Sequence, residues 1–209
     1  MKVKISIGQE IAIFINNYIT ELNVIEKRNP SKSQELIKWS GPLGSIVKIN
    51  FDGAYDRCHY KSASGIVAKN VEGNALLSYS ETHKEVPFAF AAEALACRKA
   101  VQIGIEVQWL EIIIEGDSLA IIKKCQSKSQ DRSQVGVYIH DIHQITDRFN
   151  NIVFKYTPRS TNGLAYILTT ESLKKREEFY LLQKVPWCNA LMPETVTGVE
   201  HEVLTDLIH

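Results

Sequence analysis

Val47-Lys48-Ile49-Asn50-Phe51-Asp52-Gly53-Ala54 alternates residue by residue. Val47, Ile49 and Phe51 fall on one face, and Lys48, Asn50 and Asp52 on the other. A period of two marks a β-strand, and the pattern extends over residues 46–55. Residues 64–69 and 75–80 are two further strand candidates. Between them, Asn70-Val71-Glu72-Gly73-Asn74 has the composition of a hairpin loop.

Downstream the period changes. Over residues 88–103, Phe88, Ala91, Ala92, Leu95, Lys99 and Ile103 share one broad side, as in a helix. Glu93, Ala96, Cys97, Ala100 and Gly104 form a second stripe of mostly small residues, which lets a helix lie close to a sheet. Residues 109–115 are a nearly continuous apolar strand ending at Gly116-Asp117-Ser118, with a helix through Ile121 and Ile122. A polar loop (126–133), a helix (137–149), a strand (152–156) and a last helix (162–180) follow. The order predicts an α/β fold, a mixed sheet with helices on its faces.

Three acids sit where this order makes them converge. Asp52 lies in the first strand, Glu93 in the first turns of the first domain helix, and Asp117 at the end of the fourth strand. In a right-handed arrangement strand four lies parallel beside strand one, with the helix crossing over. Asp52 and Asp117 are then neighbours, and Glu93 faces them. Converging carboxylates repel unless protons or cations neutralise them, and magnesium or manganese prefers such oxygen ligands. Each acid alone also has a plainer explanation. Asp52-Gly53 suits a turn, Asp117-Ser118 suits a helix N-cap, and Glu93 suits a helix start favoured by the dipole.

Six stretches carry a family pattern in order. They are Trp39 with Pro42; Val47-Lys48-Ile49-Asn50-Phe51-Asp52-Gly53-Ala54; Ser64-Gly65-Ile66-Val67-Ala68-Lys69-Asn70 with Gly73; Ala92-Glu93-Ala94-Leu95-Ala96; Glu115-Gly116-Asp117-Ser118; and Arg159-Ser160-Thr161-Asn162-Gly163-Leu164-Ala165. Over residues 39–193 the chain resembles the ribonuclease H family, most closely the plant branch related to retrotransposon ribonuclease H domains. The resemblance implies a ribonuclease H-like fold, a five-stranded mixed sheet of order 3-2-1-4-5 with the first three strands antiparallel. It also implies endonucleolytic cleavage of the RNA strand of an RNA–DNA hybrid with two metal ions, magnesium or manganese. Asp52 would bridge both ions, while Glu93 and Asp117 would hold one. Gly53, Ala54 and Ser64 are candidates for close approach to the nucleic acid, together with Arg159 and Asn162. Arg159 is read as a phosphate contact or as a partner of the last helix.

The chain departs from the pattern after the asparagine. The family has an acid there, often His in the plant branch, where this chain has Tyr166 within Ala165-Tyr166-Ile167-Leu168-Thr169. Un-ionised tyrosine is a poor magnesium ligand, so a hydrolase of weakened activity is expected. The alternatives are an inactive nucleic-acid-binding module or a protein-interaction domain.

Composition sets the outer limits. The chain has 209 residues, 44% hydrophobic and 23% charged, with 24 Lys plus Arg against 24 Asp plus Glu. A neutral chain is not a bulk electrostatic binder of duplex DNA, so any nucleic-acid site is local or relies on bound cations. Lys123, Lys124, Lys128 and Arg132 read as a solvated loop more than a substrate-binding protrusion. Cys58, Cys97, Cys125 and Cys188 form no Cys-x-x-Cys pair, and His140 and His143 read as helix surface. With no secretory signal and no apolar run of roughly 18 residues, the chain reads as intracellular, nuclear or cytoplasmic, with no membrane partner. Residues 1–38 read as an amphipathic helix over 8–27 and a linker, packing on the domain or forming a dimer contact. Residues 39–184 read as the domain, and 185–209 as a tail with four acids and no Lys or Arg.

Overall fold

The computed structural model describes residues 46–129, 131–176 and 178–182. The helix expected at 8–27, its dimer contact, Trp39, Pro42 and the acidic tail lie outside the described residues. Strands β1 (Val47–Asp56), β2 (Lys61–Lys69) and β3 (Ala75–His83) form an antiparallel meander. Helix α1 (Ala89–Glu106), strand β4 (Glu111–Gly116), helices α2 (Leu119–Gln126) and α3 (Gly136–Thr146), strand β5 (Asn151–Tyr156) and helix α4 (Gly163–Lys175) follow. Strand β4 is parallel to both β1 and β5. Among the described residues no helix is long and apolar enough to cross a membrane.

The order 3-2-1-4-5 is present, and a sixth strand extends it. β6 (Phe179–Leu182) pairs antiparallel with β3, giving β5-β4-β1-β2-β3-β6. This corrects the last helix, which does not run to residue 180. It stops at Lys175, and Arg176 turns the chain in the left-handed region with φ 57. Tyr180 then stands level with Tyr79, their rings edge to face at 6.0 Å. The added strand covers the edge that β3 would otherwise leave open.

Two glycines show how the layers stack. Gly53 pairs with Ser64, and Gly65 with Asp52, so the two glycines lie on opposite faces of the sheet. A Cβ on Gly53 would stand 2.6 Å from the Ala92 carbonyl in α1, and one on Gly65 would stand 2.5 Å from Ala165 O in α4. Helix α1 therefore seats on one face and α4 on the other, each at backbone distance. Val47, Ile49 and Phe51 share the α1 side and are fully buried with Ile112 and Ile114. Burying each such side chain stabilises the fold by about 1.5–3 kcal/mol. Asn50 and Asp52 point the other way and are buried too, at 6% and 4% exposure, because α4 covers part of that face.

Helix α4 buries Leu164, Ala165, Leu168, Thr169 and Ser172 along one stripe. Thr169 ties β1 to β2. Its hydroxyl donates to Ala63 O at 2.7 Å and accepts from Ala54 N–H at 3.2 Å. Thr169→Val keeps the shape and strands both backbone groups. It is expected to lower the unfolding free energy by about 2 kcal/mol, read by urea denaturation. A loss below about 0.5 kcal/mol would show that water reaches those groups.

Candidate metal and nucleic-acid site

The parallel register of β1 and β4 runs to Phe51 beside Gly116. One residue further, Asp52 and Asp117 stand side by side. Gly116 is required there, because a Cβ would lie 2.4 Å from the Phe51 ring. Gly53 admits α1 so closely that Glu93, whose own N is 2.7 Å from the Gly53 Cβ position, reaches the same point. One ligand atom from each of Asp52, Glu93 and Asp117 falls within 4.8 Å of the others.

The plainer explanations do not describe these positions. Asp52 is mid-strand, paired with Gly65. Helix α1 has no acid in its first turn, so Glu93 is too deep for a helix-start role. Helix α2 has Ser118 at its N-cap and no side-chain capping bond. What the three share is one another.

Electrostatics records the crowding. The Asp52 carboxyl is pushed up to about 7, first by burial and then by the Asp117 charge, with Arg159 pulling it down. Glu93 is pushed up to about 8, first by burial, then by Asp52 and Asp117; the Gly53 amide and Arg159 oppose the rise. Glu93 Oε2 is buried with no hydrogen-bond partner among the described residues. An all-oxygen donor set with an unpartnered buried acceptor fits a hard divalent cation.

A pH dependence follows. Both acids bind protons more readily in the folded chain than at their ordinary values of 3.8 and 4.5. Their contribution to stability is therefore full below about pH 4 and is lost as pH rises through 7 to 8. Without metal, the melting temperature is expected to fall from pH 5 to pH 8. Magnesium or manganese should restore it increasingly over that range, since the ligand form is the ionised one. Melting curves with and without manganese check this; a metal effect that is flat with pH would place the ion elsewhere.

The remaining sequence-predicted residues are placed as follows. Asn162 is buried, with 1% exposure. Its amide donates to Phe51 O at 2.8 Å and toward Asp117 Oδ1 at 3.5 Å, so it holds the β1–β4 junction from beneath. Ser64 lies across from Gly53, fully buried, with its hydroxyl on His83 Nε2 at 2.8 Å. Gly53 and Ala54 lie beside the cluster, the first against α1 and the second bonded to Thr169. Arg159 is exposed, its guanidinium carbon 4.1 Å from the centre of the Tyr166 ring. Nothing local in the sequence announces that cation–π contact, because it depends on the turn in which Thr161 and Asn162 N–H both bond Pro158 O.

Other expectations stay outside the site. Lys124 is bound to Asp131 at 2.9 Å. His140 bonds Gln144, and His143 bonds Cys125 O. Glu115, one turn of strand before Asp117, is engaged by Asn50 Nδ2 at 3.4 Å. Cys58, Cys97 and Cys125 are free thiols.

Residues 50–172 match a family model described as reverse transcriptase-like. No curated protein matches the sequence. Solved structures do. Ribonuclease H1 of the halophilic archaeon Halobacterium salinarum NRC-1 is 21% identical, with TM-score 0.58 over 62% of this chain and 98% of that one. The LC11 ribonuclease H1 isolated from compost is 24% identical, with TM-score 0.56 over 63% and 98%. The N-terminal ribonuclease H domain of Rv2228c from Mycobacterium tuberculosis is 14% identical, with TM-score 0.56 over 63% and 95%. The LC11 protein is also solved in complex with an RNA/DNA hybrid, at 23% identity and TM-score 0.55. At these identities the likeness is one of fold.

Proposed function

The chain belongs to the reverse transcriptase-like family and carries a ribonuclease H-like domain, and on that premise we propose that it is a metal-dependent endonuclease cleaving the RNA strand of RNA–DNA hybrids. The observation that carries this reading is the Asp52–Glu93–Asp117 cluster with its unpartnered Glu93 oxygen. The complex of the LC11 protein with a hybrid supports the choice of substrate.

Asp52, Glu93 and Asp117 would hold magnesium or manganese. When bound, such an ion supplies a hydroxide-generating, charge-neutralising centre at the phosphodiester. The chain's own residues do the rest. Asp52 and Glu93 bind the ion only when deprotonated, so rising pH prepares the seat. Asn162 fixes Asp117 and the Phe51 carbonyl, keeping β1 and β4 in step. Gly53 and Ala54 give the sugar–phosphate chain a low-relief approach beside the acids.

The test is a labelled hybrid incubated with the chain and magnesium or manganese. Shortened RNA with intact DNA is the expected product. Equal cutting of both strands would point to a different nuclease. Tyr166, where the family pattern has an acid or His, favours a second reading, a domain that binds without cutting. Under that reading hybrid binding falls with salt and the RNA stays whole at every metal concentration.

A further inference from the structure

The loop between β5 and α4 brings one uncommitted cation to the rim of the acids. Several other cations are paired: Arg98 with Asp141, Lys99 with Glu81, Lys124 with Asp131 and Lys155 with Glu115. Arg159 forms no ion pair among the described residues. Yet its charge acts on two of the three carboxylates, Asp52 and Glu93. A free guanidinium on a flexible stem would swing into such a cluster and bind a carboxylate bidentately. The Tyr166 ring, 4.1 Å away and face-on, holds it instead. A guanidinium held over a ring face by cation–π attraction keeps N–H donors free for the oxygens of an anion such as phosphate.

We propose that Tyr166 is a positioning residue that holds the Arg159 guanidinium at the rim of the Asp52–Glu93–Asp117 cluster, out of the cation seat, where its N–H groups engage a backbone phosphate of the nucleic acid. This rests on the nucleic-acid function proposed above. Arg159 then serves two ligands with opposite signs. It attracts the phosphate and repels the divalent cation. Tyr166 moderates the second effect by keeping the guanidinium from occupying the carboxylates.

The test uses the full chain and two titrations. One measures manganese binding without nucleic acid, by electron paramagnetic resonance. The other measures hybrid binding by fluorescence anisotropy with calcium, across a range of salt. Arg159→Ala is expected to weaken hybrid binding about tenfold and to reduce the slope of log affinity against log salt by about one. The same variant should bind manganese about threefold or more tightly, because a repelling charge has gone. Tyr166→Ala should weaken hybrid binding as well, but it should also weaken manganese binding, because the released guanidinium competes for the carboxylates. Adding Arg159→Ala to Tyr166→Ala should restore manganese affinity. Tyr166→Phe, which keeps the ring, should match the wild type in both titrations. A purely structural role would move manganese binding in one direction for all variants. An unchanged salt slope in Arg159→Ala, or tighter manganese binding in Tyr166→Ala, overturns the proposal while leaving the nuclease reading in place. A wild-type chain that binds no hybrid overturns both. Arg159 and Tyr166 are both exposed, so the variants are expected to fold, and melting curves verify it.

Discussion

Asp52→Asn is expected to lower hybrid cleavage by at least about a thousandfold, equivalent to about 4 kcal/mol of barrier, while raising the melting temperature of the metal-free protein at pH 8. The two effects have one origin. Asp52 is 4% exposed and faces the charge of Asp117. At pH 8 the folded chain must carry that buried negative charge, which costs stability until a cation neutralises it. Asparagine has nearly the same shape, and its amide N–H groups can donate to Asp117. The repulsion goes, and with it the anionic oxygen that a divalent ion needs. Rate and stability therefore move oppositely, as expected where an acid is kept for chemistry at the expense of the fold. Cleavage of a labelled hybrid with magnesium and with manganese, beside melting curves, reads both. Equal rates in the two proteins would end the nuclease assignment. A fall in both rate and melting temperature would make Asp52 a structural acid.

The parts of this molecule that are readable from sequence share a physical feature, a strong local period that also fixes where the acids on it fall. The alternation through Phe51 and Asp52 fixed β1 to within a residue, and the change of period at Phe88 placed α1. The three acids are readable because two parallel neighbouring strands and the crossover helix between them leave few ways for the acids to be apart. Non-local contacts were not readable. Helix α4 carries a stripe of Leu, Ala, Thr and Ser whose value lies in close approach to Gly65 and in the Thr169 bonds, not in hydrophobicity. The sequence pattern overruns its end because the stop at Arg176 uses an arginine in the left-handed region where glycine would be the signal. Once the helix stopped, β6 formed because the edge of β3 was there to receive it. Ser64 reads from sequence as a residue beside the acids for close nucleic-acid approach; the fold buries it, and its hydroxyl bonds His83. Asn162 reads from the family pattern as a candidate for approach to the nucleic acid; only the fold shows it buried beneath the acids, bonded to the Phe51 carbonyl.

Gly53→Ala is expected to damage fold and site together, costing about 3 kcal/mol of stability, at the upper end for an overpacked contact, and about a hundredfold in cleavage. The added methyl would sit 2.6 Å from Ala92 C and O and 2.7 Å from Glu93 N, where ordinary contact begins at 3.4 Å. These are backbone atoms of a buried helix, so no side chain can rotate to relieve them. Helix α1 must lift from β1 by several tenths of an ångström, and Glu93 lifts with it. The carboxylates then spread, and manganese affinity should fall at least about tenfold, as for loss of ligand alignment. Gly104→Ala, in α1 itself, gives the contrast. Its methyl would meet only side-chain atoms of Ile112 and Phe149, at 3.0 to 3.3 Å, which can yield. Alanine also suits a helix interior better than glycine, so its stability is expected to stay within about 1 kcal/mol of the wild type and its manganese affinity unchanged. Denaturation and manganese titration of the two variants separate the effects. If Gly53→Ala matched Gly104→Ala in both, α1 would not be seated on β1 at Gly53, and the point where Glu93 meets the two aspartates would lose its structural cause.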